Sequence, residues 1–322
     1  MAALYGLLAV IWSSTWVAIK IGLEDCPPLL GAGVRFAFAG LLLLSIAAAR
    51  RRSLRTDVRL AAILALLPFA FAYGLVYWGE QYIPSGLAAV LFGIMPLYTA
   101  LLGSVLLPDE PLRARLVVGI LVAIGGLALA FAESADSGHP ELAVAGAAAL
   151  ALSPIGSALG NIGQKLRGGG LGAVVLNGWA MLGGGLVLLM ISGASENWGE
   201  LALTAEALGS IAYLAVAGSA VTFVGLSVLL RQISAQAMSF LALLLPFGAL
   251  VFGAVLYAED ITPRALGGAA LVGGGLLVAQ ASRRSRPDEE SLNSPSGVRD
   301  SKDCPAGSTR LGRVRADRHR VP

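Results

Sequence analysis

Among the charged residues within or beside the apolar runs of this 322-residue chain, Arg35, Lys20 and Glu80 have chemistry to offer. Arg35 lies four residues, or about 6 Å, from the middle of the run 29–49 at ~1.5 Å rise per residue. A guanidinium at that depth costs about 3 kcal/mol on insertion scales, so it must face a partner or water. Arg35 therefore reads as an ionic gate or the anchor for a carboxylate, or as a structural pair with Glu80 or with helix-end carbonyls. Lys20, about 12 Å from the middle of its own run, is close enough to an interface to snorkel, and its charge also suits coupling or gating. Glu80, near the end of the third run, is placed to carry a proton or to pair with Lys20 or Arg35.

Aromatic and polar residues inside the same runs outline a candidate cavity. Trp12 and Trp16 are spaced i, i+4 with Ser13 beside them, and Tyr73 and Tyr77 repeat that spacing. Asn161, Gln164, Asn177 and Thr222 add amides and a hydroxyl. Aromatic walls with sparse polar groups suit a small amphipathic organic solute, whereas each residue alone also suits packing or an interfacial belt. Trp179 and Trp198 read as belt residues. His139 falls in an outer loop and His319 in the tail, which leaves a membrane metal site without ligands, and Cys26 and Cys304 fall on opposite sides of the topology derived below. No glycine stretch ends in the Lys-Ser/Thr of a phosphate loop, so no cofactor is implied.

Composition names the solvent that the positioning elements must meet. Charged residues make up 13% and apolar ones 56%, against about 25% charged in soluble domains, so a water-soluble enzyme is excluded. The expectation is an all-α membrane protein. Ten apolar runs are each long enough to cross the ~30 Å hydrocarbon core: 2–22, 29–49, 60–79, 85–107, 113–132, 142–163, 172–192, 207–230, 235–257 and 263–282. Their hydrophobicity is continuous around the helix, which excludes amphipathic surface helices, and they are too long for barrel strands. Pro68, Pro96, Pro154 and Pro246 predict kinks within runs. Small residues such as Gly119 with Ala123, Ala269 with Gly273, and Gly183–Gly185 predict close helix approach.

Basic residues set the orientation. The connections after runs 2, 4, 6 and 8 hold Arg50, Arg51, Arg52, Arg55, Arg59, Arg113, Arg115, Lys165, Arg167 and Arg231, whereas the opposite side has only Lys20 and Arg264. Both termini are thus expected in the cytoplasm of a cell carrying the protein in its cytoplasmic membrane. The chain's start reads as a retained first helix. The basic sequence pI of about 9.0 belongs to residues 283–322, which hold ten of the 23 basic residues against six acids. That tail reads as disordered and cytoplasmic, not as a nucleic-acid site.

The chain also repeats itself. Ile83-Pro84-Ser85 through Met95-Pro96 align with Ile233-Ser234-Ala235 through Leu245-Pro246 at an offset of 150, and Glu110, Gly119 and Gly125-Gly126 align with Glu259, Gly268 and Gly274-Gly275 at 149. Two five-helix halves, 1–132 and 142–282, enter the membrane with opposite orientation because five is odd. Inverted repeats of this kind are a recurring construction of secondary transporters, in which one midplane site opens alternately to either face. The related pair Pro96 and Pro246 suits bending during such a switch.

These residues resemble the EamA-type family of the drug/metabolite transporter superfamily. The resemblance rests on Trp12-Ser13-Ser14 through Lys20, Arg35, Glu80 through Ala89, Met95-Pro96-Leu97, Glu110, Pro246, Glu259 and Gly273-Gly274-Gly275, and covers about residues 1–282. In the second half Ser157 or its neighbours replace the first-helix Trp, and Asn177 roughly replaces Arg35, so any family role of those two residues is single-sided here. The resemblance implies ten helices in two homologous halves and export of amino acids or related compounds, driven by proton exchange or the solute gradient. Uptake or exchange by the same fold is the alternative. A lipid-modifying membrane enzyme would need clustered catalytic groups, and a scaffold or receptor would not need an inverted repeat.

Overall fold

The computed structural model describes residues 2–106, 114–135, 140–168, 170–229 and 235–281, and all regular structure among them is helical. Ten helical elements cover this range: α1 (Ala2–Leu23), α2 (Pro28–Ala49), α3 (Val58–Glu80), α4 (Ser85–Leu106), α5 (Ala114–Ala135), α6 (Pro140–Arg167), α7 (Ala173–Ser195), α8 (Ala205–Leu229), α9 (Ala235–Tyr257) and α10 (Pro263–Ala281). Their ends lie within about four residues of the apolar runs, because Pro, Gly and charged residues stop the helices where the hydrocarbon-like sequence ends. Seven are long and apolar enough to cross a membrane by length and composition. Glu110, Arg231, His139 and the tail 283–322 lie outside the described residues.

Several helices depart from regular α geometry, and the prolines explain only some of the departures. Residues Ala65–Ala72 of α3 are π-helical around Pro68, whose missing N–H and bulky ring open the hydrogen-bond ladder. Residues Val216–Val221 of α8 are π-helical without any proline. Turns interrupt α4 at Gly93–Ile94, just ahead of Pro96, and α6 at Ser153, just ahead of Pro154. By contrast, Pro246 lies inside an unbroken α9. The two prolines that the repeat relates thus have different local effects.

The longest packed seams are α2 on α7 and α5 on α10. Glycines draw each pair together. A Cβ on Gly40 would lie 2.5 Å from Leu182 N and 2.7 Å from Gly178 O, while one on Gly185 would lie 2.5 Å from Ala37 N and 2.8 Å from Gly33 O. Residues 145 apart therefore exchange places across the seam. In the second seam, Gly126 meets Gly268 O and Val272 N, and Gly275 meets Gly119 O and Ala123 N, residues 149 apart. This is the close approach expected from the small-residue stretches.

Polar ties gather four connections at one end of the bundle. Glu196, beyond α7, accepts hydrogen bonds from Leu29 N (2.7 Å) and Leu30 N (2.9 Å) at the start of α2. Pro28 has no N–H to satisfy there, so the carboxylate caps the donors that remain. Asp25 O accepts from Ala202 N (2.8 Å), and its Oδ2 accepts from Thr204 Oγ1 (2.5 Å). Tyr257 OH, at the end of α9, donates to Glu24. Cys26 is buried among these ties, and its thiol is pushed up to about 11 by burial and then by the Glu196 and Asp25 charges, so it stays protonated.

Candidate functional site

Arg35 is fully buried, and its position follows from the α2–α7 seam and the caps that fix the start of α2. Its guanidinium reaches across to the π-helical segment of α8, where Nε donates to Ser219 Oγ (2.9 Å) and Nη2 to Gly218 O (3.2 Å). Nη1 donates to Tyr77 OH on α3 (3.3 Å). The rings of Phe36, Tyr73 and Tyr77 lie 4.9, 5.0 and 5.9 Å from the guanidinium carbon. Hydrogen bonds to a charged group contribute about 1.5–3 kcal/mol each, and a desolvated cation–π contact about 2 kcal/mol. Together they offset an insertion cost of about 3 kcal/mol. Of the alternatives, pairing with Glu80 is not made: among the described residues every hydrogen-bond partner of Arg35 is neutral, and one is a backbone carbonyl.

Aromatic rings extend this cage. Phe36 stacks at an angle on Phe69 (5.2 Å) and Tyr73 (4.8 Å), Phe69 meets Phe223 (5.1 Å), and Phe223 meets Trp12 (5.8 Å). The group thus joins α1, α2, α3 and α8 around one cation. Phe36, Phe69 and Phe223 were not singled out from the sequence, although Phe69 continues the i, i+4 stripe of Tyr73 and Tyr77. Trp16 turns elsewhere and meets Phe92 on α4 (5.4 Å), so the Trp12 and Trp16 pair is shared between two neighbours.

The remaining candidates are dispersed. Ser13 packs against Gly248 of α9, where even a Cβ would collide with its hydroxyl. Thr222 is the exception: it spends its hydroxyl on Gly218 O of its own helix (2.8 Å), the carbonyl that also accepts from Arg35 Nη2, so it borders the Arg35 group. Asn177 is buried and donates to Ala173 O (2.9 Å) and Ser227 Oγ (3.0 Å), leaving its Oδ1 without a partner. Asn161 and Gln164 are half-buried late in α6, and among the described hydrogen bonds neither joins the Arg35 group. Trp179 and Trp198 are about half exposed and donate to Leu54 O and Ser192 Oγ, as belt residues do.

Lys20 and Glu80 meet at the gathered end of the bundle. Lys20 does not run free to an interface: its Nζ donates to Glu80 O (2.7 Å), Ile83 O (3.0 Å) and Gln81 O (3.3 Å). The last turn of α1 lies against the C-terminus of α3, whose carbonyls have no helical partner and attract a cation. The Glu80 carboxylate is fully buried, and neither oxygen has a hydrogen-bond partner.

The arrangement is a buried cation in an aromatic cage, with a bare carboxylate toward one end of the same helical bundle. The sequence profile of the EamA-like transporter family matches residues 1–132 and 144–280. The chain belongs to that family. It is therefore a multi-pass membrane protein of a transporter family. It is 32% identical over 265 residues to "Uncharacterized inner membrane transporter YedA" of Escherichia coli (strain K12), covering 79% of this chain and 82% of that protein. It is 27% identical over 280 residues to the "Probable amino-acid metabolite efflux pump" of Salmonella typhimurium, covering 84% and 92%. A solved crystal structure, 18% identical, shares the fold with a TM-score of 0.66 over 87% of this chain and 96% of its own.

Proposed function

We propose that this EamA-like chain is a secondary transporter that exports small amino-acid-like organic solutes by alternating access, with Arg35 as the anchor for a solute carboxylate. The observation that carries this reading is the buried guanidinium with only neutral partners. A charge kept in a membrane interior without a hydrogen-bonded counterion is a functional feature by default, and an anionic group is its natural complement. The aromatic walls of Tyr73, Phe36 and Phe223 suit an apolar side chain on the same solute. Because Arg35 has no exposed surface, a solute reaches it only when helices part. The name of the efflux relative supports both the solute class and the direction.

Alternating access in this reading uses ten spanning helices in two inverted halves, 1–132 and 142–282, with the tail 283–322 in the cytoplasm. The matching contacts made by Gly40 and Gly185 in one seam, and by Gly126 and Gly275 in the other, support a twofold relation, and so do π-helical segments in both α3 and α8. The seam offset of 145 sets Ala180, not Asn177, opposite Arg35, so the cation is single-sided. Arginines in the connection after α2 support a cytoplasmic membrane location with both termini inside. Glu80, buried and bare, is the group that carries a coupling proton. Relatives named as transporters support carriage over membrane enzymology.

The deciding experiment is flux of radiolabelled amino acids and their analogues into proteoliposomes under an imposed pH gradient. Solute-dependent flux that Arg35→Ala removes is the expected result. Flux that survives the substitution unchanged would overturn the assignment of Arg35.

A further inference from the structure

Residues 80–86, the corner between α3 and α4, are gripped from both sides by remote parts of the chain. Lys20 of α1 holds the carbonyls of residues 80, 81 and 83. Glu259, in the α9–α10 connection and 174 residues away in sequence, holds the other side. Its Oε1 accepts from Ser85 N (2.7 Å), and its Oε2 accepts from Ser85 Oγ (2.9 Å) and Gly86 N (3.1 Å). The first turn of α4 has no side-chain cap of its own, so this carboxylate supplies the acceptors its N–H groups need.

The placement of Glu259 is built, not incidental. Ala258 adopts φ +52, a left-handed conformation unusual for a residue with a Cβ. That bend returns Glu259 N to Gly253 O (3.1 Å). A Cβ on Gly253 would lie 2.5 Å from Glu259 Oε2 and 3.1 Å from Ser85 Oγ, so only glycine leaves the carboxylate its seat.

What Glu259 holds is a half-helix with a joint at its far end. Residues Ser85–Phe92 form one helical segment, Gly93–Ile94 leave the helix, and a second segment starts at Met95. Beyond the corner, the half-helix is held by apolar contact: Leu87, Val90 and Leu91 are buried, and Gly86 lies against Leu250 of α9. Apolar contact is not directional, so the hydrogen bonds at the corner are the specific hold.

We propose that Glu259 and Lys20 are a latch on the half-helix Ser85–Phe92, and that its release about Gly93–Ile94 opens this end of the bundle. The proposal rests on the transport reading, since a carrier must open here in each cycle. Glu259 is a positioning residue in it and touches no solute.

The test uses the full chain in detergent with Cys26→Ala and Cys304→Ser, and a reporter cysteine at either Leu87 or Leu97. Leu97 is also buried but lies beyond the joint. The readout is the rate of labelling by a charged maleimide. Glu259→Gln and Lys20→Met should each raise labelling at Leu87→Cys by about tenfold and leave Leu97→Cys within about twofold. Unchanged labelling at both positions would overturn the latch, and an equal rise at both would replace it with general loosening. Should Glu259→Gln not fold, Glu259→Asp shortens the same contact and is read in the same way. Labelling needs no solute, so selective opening without flux would count against the transport reading and leave the latch standing.

Discussion

The centre of the bundle and its gathered end hold charge in opposite ways. At the end, Lys20 and Glu259 are fastened to helix termini, where carbonyls without helical partners meet a cation and free N–H groups meet an anion. Those charges are complemented by the backbone itself and serve to tie elements together. At the centre, Arg35 has hydroxyls, one carbonyl and aromatic faces, which lower the cost of burial without cancelling the charge. The ties of Lys20 and Glu259 are complete as they stand, while Arg35 has no anion among its hydrogen-bond partners. A matched charge of this kind holds elements together, while a merely tolerated one leaves room for a ligand of opposite sign.

The sharpest way to break this contrast is Arg35→Ala, which should lower flux at least about a hundredfold, the loss of about 3 kcal/mol of charged hydrogen bonding, with membrane abundance unchanged. Arg35→Lys keeps the charge but not the planar fork, so it should recover only part of the loss in the same flux assay. Next in size is Glu80→Gln, which should make proteoliposome flux indifferent to the imposed pH gradient while the wild-type chain responds to its sign. An unaltered gradient response in the variant would remove Glu80 from coupling. The glycine seams belong to the fastened class and should respond in stability. Gly40→Val and Gly185→Val should each destabilise by about 1–3 kcal/mol from overpacking, and by similar amounts, measured as thermal midpoints in detergent. A large inequality would argue against the twofold relation. Smallest is Ser219→Ala, which removes one acceptor of Arg35 and should weaken solute affinity about fivefold, near 1 kcal/mol, as read from the half-saturating concentration.

Element boundaries were legible because hydrocarbon length and helix-stopping residues act locally. The seams were legible too, since Gly119, Ala123 and Gly185 advertise close approach without naming the partner. Partners of the charged residues were not legible. Lys20 has a stem long enough to reach an interface or a neighbouring helix end, and only the placement of α3 against α1 decides between them. Arg35 finds Gly218 and Ser219 more than 180 residues downstream, a pairing that local pattern cannot carry. Of the expected site, Trp12, Arg35, Tyr73 and Tyr77 come together, with Thr222 on the Gly218 carbonyl that Arg35 also uses, whereas Ser13 and Asn177 are engaged by their own or neighbouring helices. Proline position also misleads. Pro96 follows a break that Pro246 lacks.

The π-helical segments of α3 and α8 give these helices a property that straight ones do not have. Each stores a surplus residue within an otherwise regular screw, and a surplus can travel. An α-helix advances about 100° per residue, so passing the surplus one turn along rotates the intervening faces by roughly that angle while most backbone bonds re-form. Tyr73 and Tyr77 follow one such segment, and Gly218 and Ser219 lie within the other. A shift of either surplus would therefore turn the faces that hold the Arg35 guanidinium, Tyr77 on one helix and Gly218 with Ser219 on the other.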